Sequence, residues 1–375
     1  MGRFVFPHRW CFPRCRQPTA ADVEDVRRAF GSLRSEIVTS AGAHGFLRLR
    51  RPDTPDGVAD STVSEGIAYG MLMAVMLDEQ ALFDALWSYA RLFLNDNGLM
   101  DWYIAPDGES VLGRGAATDA DEDIAWSLVM AHRQWLQAKY LSDAKLMIEA
   151  IWECEVDHDR FRDMLLPGDD WRGHDVFNPS YFAPHQYRLF GEVTGNREGW
   201  QRVIDKGYAI IERSQNRLQG NHENGLVPAW CNHAGEAVEA FPGALTNHQY
   251  DSARLPFRLG QDWAYHNEPR ARAYLARVCE FFAQQGAENI VDGYLLDGTP
   301  WPDPKARPGH LGSAVFVGGV AVAAMHDKRY QGLLDAAYAR VASGELLARS
   351  RYYNHCWTVL SLLMLTGNLV PFGEH

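Results

Sequence analysis

The sequence predicts an all-α protein of about twelve helices. Apolar residues recur mainly at helical spacing, turn signals separate the apolar stretches, and strand-like alternation is scarce. No long linker, low-complexity tract or charge block interrupts the chain. We therefore expect a single domain over residues 1–375, with residues 1–19 as an irregular N-terminal extension.

The predicted helices follow in order, separated by turns such as NDNG and QGNHENG. Two apolar stretches end in Thr-Gly-Asn, a usual helix stop. Six helical hairpins can close into a double ring, in which the inner helices are apolar on all sides; residues 64–78, 311–326 and 352–366 fit that description. The loop at 219–245 is a candidate for a short hairpin. The predicted ranges are 20–40, 64–78, 80–95, 119–138, 141–154, 179–193, 197–216, 247–265, 269–285, 311–326, 329–347 and 352–366.

Composition excludes several classes of function. The net charge is −12, with 36 basic and 48 acidic residues, so we expect no nucleic-acid partner. The longest mostly apolar run, residues 313–325, is too short to span a bilayer, and the first residues do not resemble a signal peptide. The cysteines are scattered, although Cys11 and Cys15 are close enough to pair in an oxidising compartment. No cofactor or metal is expected, since no second Cys/His pair has ligand spacing.

Glu65 is the first of three notable acidic sites. It follows Ser64, a good helix N-cap, and a first-turn glutamate is ordinary because the helix dipole favours it. Gly66 and Gly70 are less ordinary, because each costs about 1 kcal/mol in a helix. They would let a bulky ligand approach the backbone.

The other two acidic sites also have plain structural explanations. Thr118 and Asp121 form a capping pattern, and a positive helix end favours acids in the first turn. Four of them there exceed what capping requires: Asp119, Asp121, Glu122 and Asp123. Asp251 and Arg254 are spaced i, i+3, which alone predicts an ion pair on one helical face.

Taken together, the carboxylates suit glycoside hydrolysis, which needs one protonated acid and one ionised base facing a sugar. Other chemistries fit less well, because the sequence has no G-x-S-x-G elbow, no H-E-x-x-H and no P-loop.

Five motifs in order resemble the family 8 glycoside hydrolases, which are inverting endoglucanases with related chitosanases, xylanases and lichenases. The resemblance implies an (α/α)6 barrel with a long cleft across one end. The motifs are TVSEGIAYGM (62–71), ATDADEDIAWSLVMAHRQW (117–135), NPSYFAPHQYRLF (178–190), YDSARLPFRLGQDWAY (250–265) and YYNHCWTVLSLLMLTGN (352–368).

The resemblance also implies roles for individual residues. Glu65 matches the general acid, Asp251 the general base, and Asp119 a carboxylate that holds the sugar at the cleavage subsite. Burial and the negative field of Asp119 are expected to keep Glu65 protonated. Three further matches are expected to support the site: Tyr181 near the attacking water, Arg254 beside the base, and Asp121 next to Asp119.

A cleft of this kind should be lined with aromatic rings that stack on sugars. Trp102 resembles a cleft tryptophan of the family. We expect the other sugar-binding rings to come from Tyr69, Tyr103, Trp126, Trp171 and Tyr187. The sequence departs from the family pattern at Asp101 and Phe257, two positions that are expected to tune the subsites.

The resulting hypothesis is an endo-acting, inverting hydrolase of β-1,4-glucan or mixed-linkage glucan. It would be a secreted or periplasmic monomer whose partner is a β-linked polysaccharide or oligosaccharide, with no membrane association. A chitosanase or xylanase of the same family is the alternative. Two readings from other classes fit less well: an α/α-barrel sugar epimerase, which would want paired histidines, and a non-catalytic glycan-binding protein.

Overall fold

The computed structural model describes residues 2–54, 57–301, 312–348 and 351–373. Within them the chain forms twelve α-helices, one for each predicted range, although the predicted start at 311 lies outside the described residues. The helices are α1 (Val23–Glu36), α2 (Ser64–Met76), α3 (Gln80–Ala90), α4 (Thr118–Trp135), α5 (Ala138–Cys154), α6 (Pro184–Thr194), α7 (Arg197–Arg213), α8 (Leu255–His266), α9 (Pro269–Gln285), α10 (Ala314–Ala324), α11 (Gln331–Ser343) and α12 (Arg351–Leu365).

The helices close into a double ring, as predicted. The even-numbered helices form the inner ring: α2 packs on α4, each contacts the next through α6, α8 and α10, and α12 returns to α2. Each odd-numbered helix packs outside an inner one, α1 on α12, α3 on α2, α5 on α4, α7 on α6, α9 on α8 and α11 on α10. This is the (α/α)6 barrel.

The inner helices α2, α10 and α12 are enclosed on almost all sides, which accounts for their apolar character. Every residue of α10 is buried, as is every residue of α12 from Tyr352 to Leu365. In α2 every residue is buried except Glu65. The prediction of 64–78, 311–326 and 352–366 as inner helices is confirmed, and Glu65 is the one point at which α2 meets solvent.

Short antiparallel strands connect the helices. The strands are β1 (Val38–Thr39), β2 (Arg48–Leu49), β3 (Thr62–Val63), β4 (Tyr103–Ile104), β5 (Val111–Gly113), β6 (Val156–Asp157) and β7 (Met164–Leu165). One sheet has the order β3-β4-β5, and the others pair β1 with β2 and β6 with β7. Because β3 leads directly into α2, the three-stranded sheet holds the start of the helix that carries Glu65. At 219–245, where a short hairpin was predicted, the described residues form isolated antiparallel bridges of Cys231 with Phe177 and with Ala237.

Two helix starts differ from prediction by five residues or more. Helix α8 begins at Leu255 rather than 247, and α6 begins at Pro184 rather than 179, after a short 3-10 turn. A proline lies in the first turn of both helices, where its fixed φ favours helix initiation. Asp251 and Arg254 therefore do not share a helical face, since Asp251 lies in a turn ahead of α8.

The predicted side-chain caps at Ser64 and Thr118 are wrong. The N-cap positions are instead Val63 and Ala117. At neither helix start does an N-cap side chain accept a hydrogen bond. Thr118 instead donates its hydroxyl to the carbonyl of Leu166 at 2.8 Å. This hydrogen bond to a residue distant in sequence uses the Thr118 hydroxyl that local capping would need.

Residues 2–19 carry no helix or strand, yet their backbone is bonded across the barrel. Arg3 donates its N–H to the carbonyl of Gln134 and Trp10 to that of Gly367, at 2.8 and 2.7 Å. Cys11 and Cys15 are not joined by a disulfide. No helix in the described part of the chain is long and apolar enough to cross a membrane.

Candidate active site

Three predicted carboxylates converge on one guanidinium. Glu65 lies in the first turn of α2, Asp119 in the first turn of α4, and Arg254 is the N-cap residue of α8. Nη1 of Arg254 donates to Oε1 of Glu65 and to Oδ2 of Asp119. Its Nη2 lies 3.9 Å from Oδ1 of Asp251. The barrel thus brings together the predicted acid, base and sugar-holding residue.

These carboxylates differ in exposure. The side chains of Glu65 and Asp251 are 26% and 38% exposed, whereas Asp119 is 1% exposed. A sugar can therefore reach Glu65 and Asp251 directly. Asp119 directs Oδ2 to Arg254, while its Oδ1 has no hydrogen-bond partner within the described residues, so its contact with sugar hydroxyls stays a prediction.

Burial dominates the electrostatics of Asp119. It raises the pKa of Asp119 well above the usual carboxyl range, the charge of Arg254 opposes the shift, and Glu65 adds to it both by charge and as a hydrogen-bond partner. The raised pKa is that of Asp119, the buried neighbour of the predicted acid Glu65.

Arg254 is itself buried, with 1% of its side chain exposed. Burial lowers its pKa, but Asp119, Tyr353 and Glu65 raise it, and the net direction is upward. The guanidinium also lies 4.9 Å from the ring centre of Tyr181. It remains a fixed positive charge between the carboxylates.

Two polar side chains missed by sequence reasoning hold Asp251. Gln249 donates its amide N–H to Oδ2 of Asp251 at 3.0 Å, and Ser180 donates its hydroxyl to the Asp251 carbonyl at 2.6 Å. An amide two residues before a loop aspartate was an available signal for Gln249, since such turns bond locally. Ser180 precedes the predicted Tyr181, so both supports of the base come from segments already singled out.

The remaining acids of α4 point elsewhere. Glu122 and Asp123 pair with Arg258, one helical turn below Arg254. Burial raises the pKa of Glu122 to about 8, with Arg258 opposing. Asp121 accepts the Met100 N–H at 3.1 Å and has no ion pair with Arg254. The four acids therefore have three different partners: Asp119 contacts Arg254, Glu122 and Asp123 contact Arg258, and Asp121 holds the loop at Met100.

Asp121 faces Glu155, and both are completely buried. Oδ2 of Asp121 and both carboxylate oxygens of Glu155 have no hydrogen-bond partner within the described residues. Burial raises the pKa of both carboxyls well above the usual range, and the charge of Asp121 adds to the shift at Glu155. The folded protein accordingly retains protons on this pair that the unfolded chain releases.

We expect Glu155→Gln to weaken the loss of stability with rising pH. A carboxyl whose folded pKa is raised contributes stability that is present below its unfolded pKa and lost as pH rises toward the folded pKa, by about 1.4 kcal/mol per pH unit at most. The neutral amide removes that dependence. Urea unfolding from pH 4 to 9 measures it. The exposed Glu109→Gln should follow the native chain, and an unchanged slope for Glu155→Gln would contradict the expectation.

Three predicted sugar-binding rings keep exposed surface. Trp102 is 41% exposed and stacks on Tyr103, with ring centres 5.0 Å apart at 23°. Trp171 is partly exposed and stacks on Trp230 at 5.7 Å and 9°. Trp230 was not predicted, and its loop position at Pro-Ala-Trp was the only signal for it. The exposed surfaces of Trp102, Tyr103 and Trp171 are available to a glycan, whereas Trp230 is 5% exposed and lies against Trp171.

The other three predicted rings are core residues. Tyr69 and Trp126 are 1% exposed and Tyr187 is fully buried. Tyr187 donates its hydroxyl to Glu122 at 2.7 Å, Trp126 lies edge-on to His185, and Tyr69 lies edge-on to Trp357. No face of these rings is free for stacking on a sugar, because the inner helices enclose them.

The departures and the glycines also have internal explanations. Asp101 accepts the Gly115 N–H at 2.9 Å, and Phe257 is 4% exposed against Trp357. A Cβ on Gly66 would lie 3.0 Å from the Tyr352 ring, and one on Gly70 would lie 2.7 Å from Leu86. The two glycines make room for side chains of the barrel rather than for a ligand.

The fold and site define a class, the (α/α)6 barrels with carboxylates at the rim of the helical ring. The sequence matches the profile of Glycosyl hydrolases family 8 over residues 21–367, and the chain belongs to that family. It is therefore a glycoside hydrolase.

Named relatives and a solved structure agree with this assignment. Endoglucanase 2 of Ruminiclostridium josui is 36% identical over 98% of this chain and 74% of its own length. Endoglucanase A of Acetivibrio thermocellus is 37% identical over 89% of this chain and 67% of its own length. The apo structure of a β-1,3-1,4-glucanase from Paenibacillus sp. X4 superimposes with a TM-score of 0.85 at 26% identity, covering 97% of this chain and 98% of that one.

Proposed function

We propose that the protein is an endo-acting β-1,4-glucanase that cleaves with inversion. The observation that carries this proposal is the placement of Glu65 and Asp251 on different Nη atoms of Arg254. Both are accessible, and a guanidinium lies between them. Such an arrangement suits an acid and a base that act on a sugar from two sides.

Glu65 is proposed as the general acid. Its side chain is 26% exposed, whereas that of the neighbouring Asp119 is 1% exposed. As the bond between the anomeric carbon and the glycosidic oxygen breaks, Glu65 gives its proton to that oxygen. Asp119 acts as the buried partner of Glu65, and Arg254 limits the repulsion between their charges.

Asp251 is proposed as the general base. It accepts a proton from a water molecule whose oxygen attacks the anomeric carbon on the face opposite the leaving group. Arg254 and Gln249 keep the carboxylate oriented. Tyr181, whose ring centre lies 4.9 Å from the Arg254 guanidinium, is proposed to contact that water. An inverting pair should be about 6.5–9.5 Å apart, rather than about 5–5.5 Å.

The substrate class comes from the relatives, which are named endoglucanases and a β-1,3-1,4-glucanase. Exposed Trp102 and Trp171 suit stacking on glucose rings. Chitosan and xylan are the alternatives within the family, and the acidic net charge of −12 mildly suits cationic chitosan. The proposal includes a monomer that is secreted or periplasmic, because polymeric glucan lies outside the cell.

Product stereochemistry tests the proposal. Proton NMR of freshly cleaved β-1,4-glucan oligosaccharide should show the α-anomer first, because a single displacement inverts the anomeric centre. Initial β-anomer would contradict inversion. A reducing-sugar assay on carboxymethylcellulose, lichenan, chitosan and xylan should show the highest rate on one of the first two, and a preference for chitosan or xylan would select the alternative.

A further inference from the structure

We propose that Gly113 is a positioning residue that sets the Trp102 indole as a sugar-stacking surface. This inference rests on the proposed function, in which Trp102 contacts the glycan. Gly113 ends strand β5 and pairs with Tyr103 on β4, directly beside Trp102.

The reason for glycine at this position is steric. A Cβ on Gly113 would lie 2.5 Å from Cε2 and Nε1 of Trp102 and 2.8 Å from Cζ2. The backbone at Gly113 does not have the positive φ that favours glycine. Close approach of the indole is therefore what a side chain here would disturb.

The rest of the indole's surroundings is fixed. The backbone N–H of Trp102 donates to the Gly115 carbonyl at 2.9 Å. The backbone carbonyl of Trp102 accepts from the N–H of Ser64, the residue before Glu65, at 3.0 Å. Its ring stacks on Tyr103, whose hydroxyl accepts the Val58 N–H at 2.7 Å. With the backbone and Tyr103 held, a side chain at 113 must push the indole off its stacked position.

Because Trp102 is 41% exposed, moving its ring should disturb glycan binding far more than folding. We expect Gly113→Ala to lower kcat/KM on a β-1,4-linked glucose hexasaccharide roughly two- to tenfold, the effect of losing one aromatic contact. The thermal midpoint should stay near that of the native chain. Gly332→Ala, which adds a Cβ into open space on α11, is the matched control.

A double-mutant cycle with Trp102→Ala tests the coupling. Gly113→Ala should have no further effect when Trp102 is absent, and it should shift the indole N–H resonance of Trp102 in the otherwise native chain. An unmoved resonance, or an equal loss of kcat/KM in both backgrounds, would overturn the inference. If the native chain cleaves no glycan, the proposed function fails, while the resonance still decides whether Gly113 positions Trp102.

Discussion

Replacing Glu65 with glutamine is expected to lower kcat on β-1,4-glucan by roughly 10²- to 10⁴-fold, the usual contribution of a general acid. The amide keeps the shape of the side chain and can still contact Arg254, but it has no proton to give to the leaving oxygen. Asp119 remains to neutralise Arg254, so the fold should persist. Steady-state rates and a thermal unfolding curve measure the two effects.

Leaving-group chemistry makes this prediction specific. An aryl glycoside whose phenolate leaves without protonation should recover much of its rate in Glu65→Gln, because its departure needs no acid. Glu109→Gln makes the same substitution at an exposed site and should retain native rates on both substrates. Near-native turnover of glucan by Glu65→Gln would remove Glu65 from the role of acid.

Asp251→Asn is expected to cause a comparable loss, roughly 10²- to 10⁴-fold in kcat, for the opposite reason. The amide cannot accept a proton from water, so the nucleophile is not activated. A better leaving group should not restore the rate of Asp251→Asn, because departure of the leaving group is not the step that this variant has lost. Rates on glucan and on the activated aryl glycoside, measured side by side, distinguish base loss from acid loss.

An added nucleophile completes the test of Asp251. Azide needs no deprotonation, so it should restore cleavage in Asp251→Asn and form a glycosyl azide of inverted configuration. Asp159→Asn, at a side chain that is 89% exposed, is the matched control. Rescue of Asp251→Asn by the aryl leaving group alone would indicate that the base lies elsewhere.

The helices could be predicted because their signals are local, whereas the closed ring was implied by the family resemblance. Helix α10 is buried on all sides, and its residues are apolar throughout. The Thr-Gly-Asn stops were equally reliable, since Gly195 and Gly367 both have the positive φ that ends a helix.

Predictions that depended on which face a residue presents were less successful. Trp126 and Tyr187 lie on buried faces of inner helices, so an aromatic residue near a catalytic motif need not reach the cleft. Ser64 and Thr118 had good capping sequences. In the structure Ser64 directly follows strand β3, and the Thr118 hydroxyl donates to the Leu166 carbonyl. Helical spacing could not locate Asp251 either, because the proline at the start of α8 leaves it in a turn.

By itself, the sequence determined the twelve helices, the inner character of three of them and the residue types of the site, because periodicity and motif spacing are properties of the chain. Only the tertiary structure decided that Glu65, Asp119 and Asp251 share Arg254, and that the raised pKa belongs to buried Asp119. Burial and charge proximity arise only when the ring closes, since they depend on residues distant in sequence.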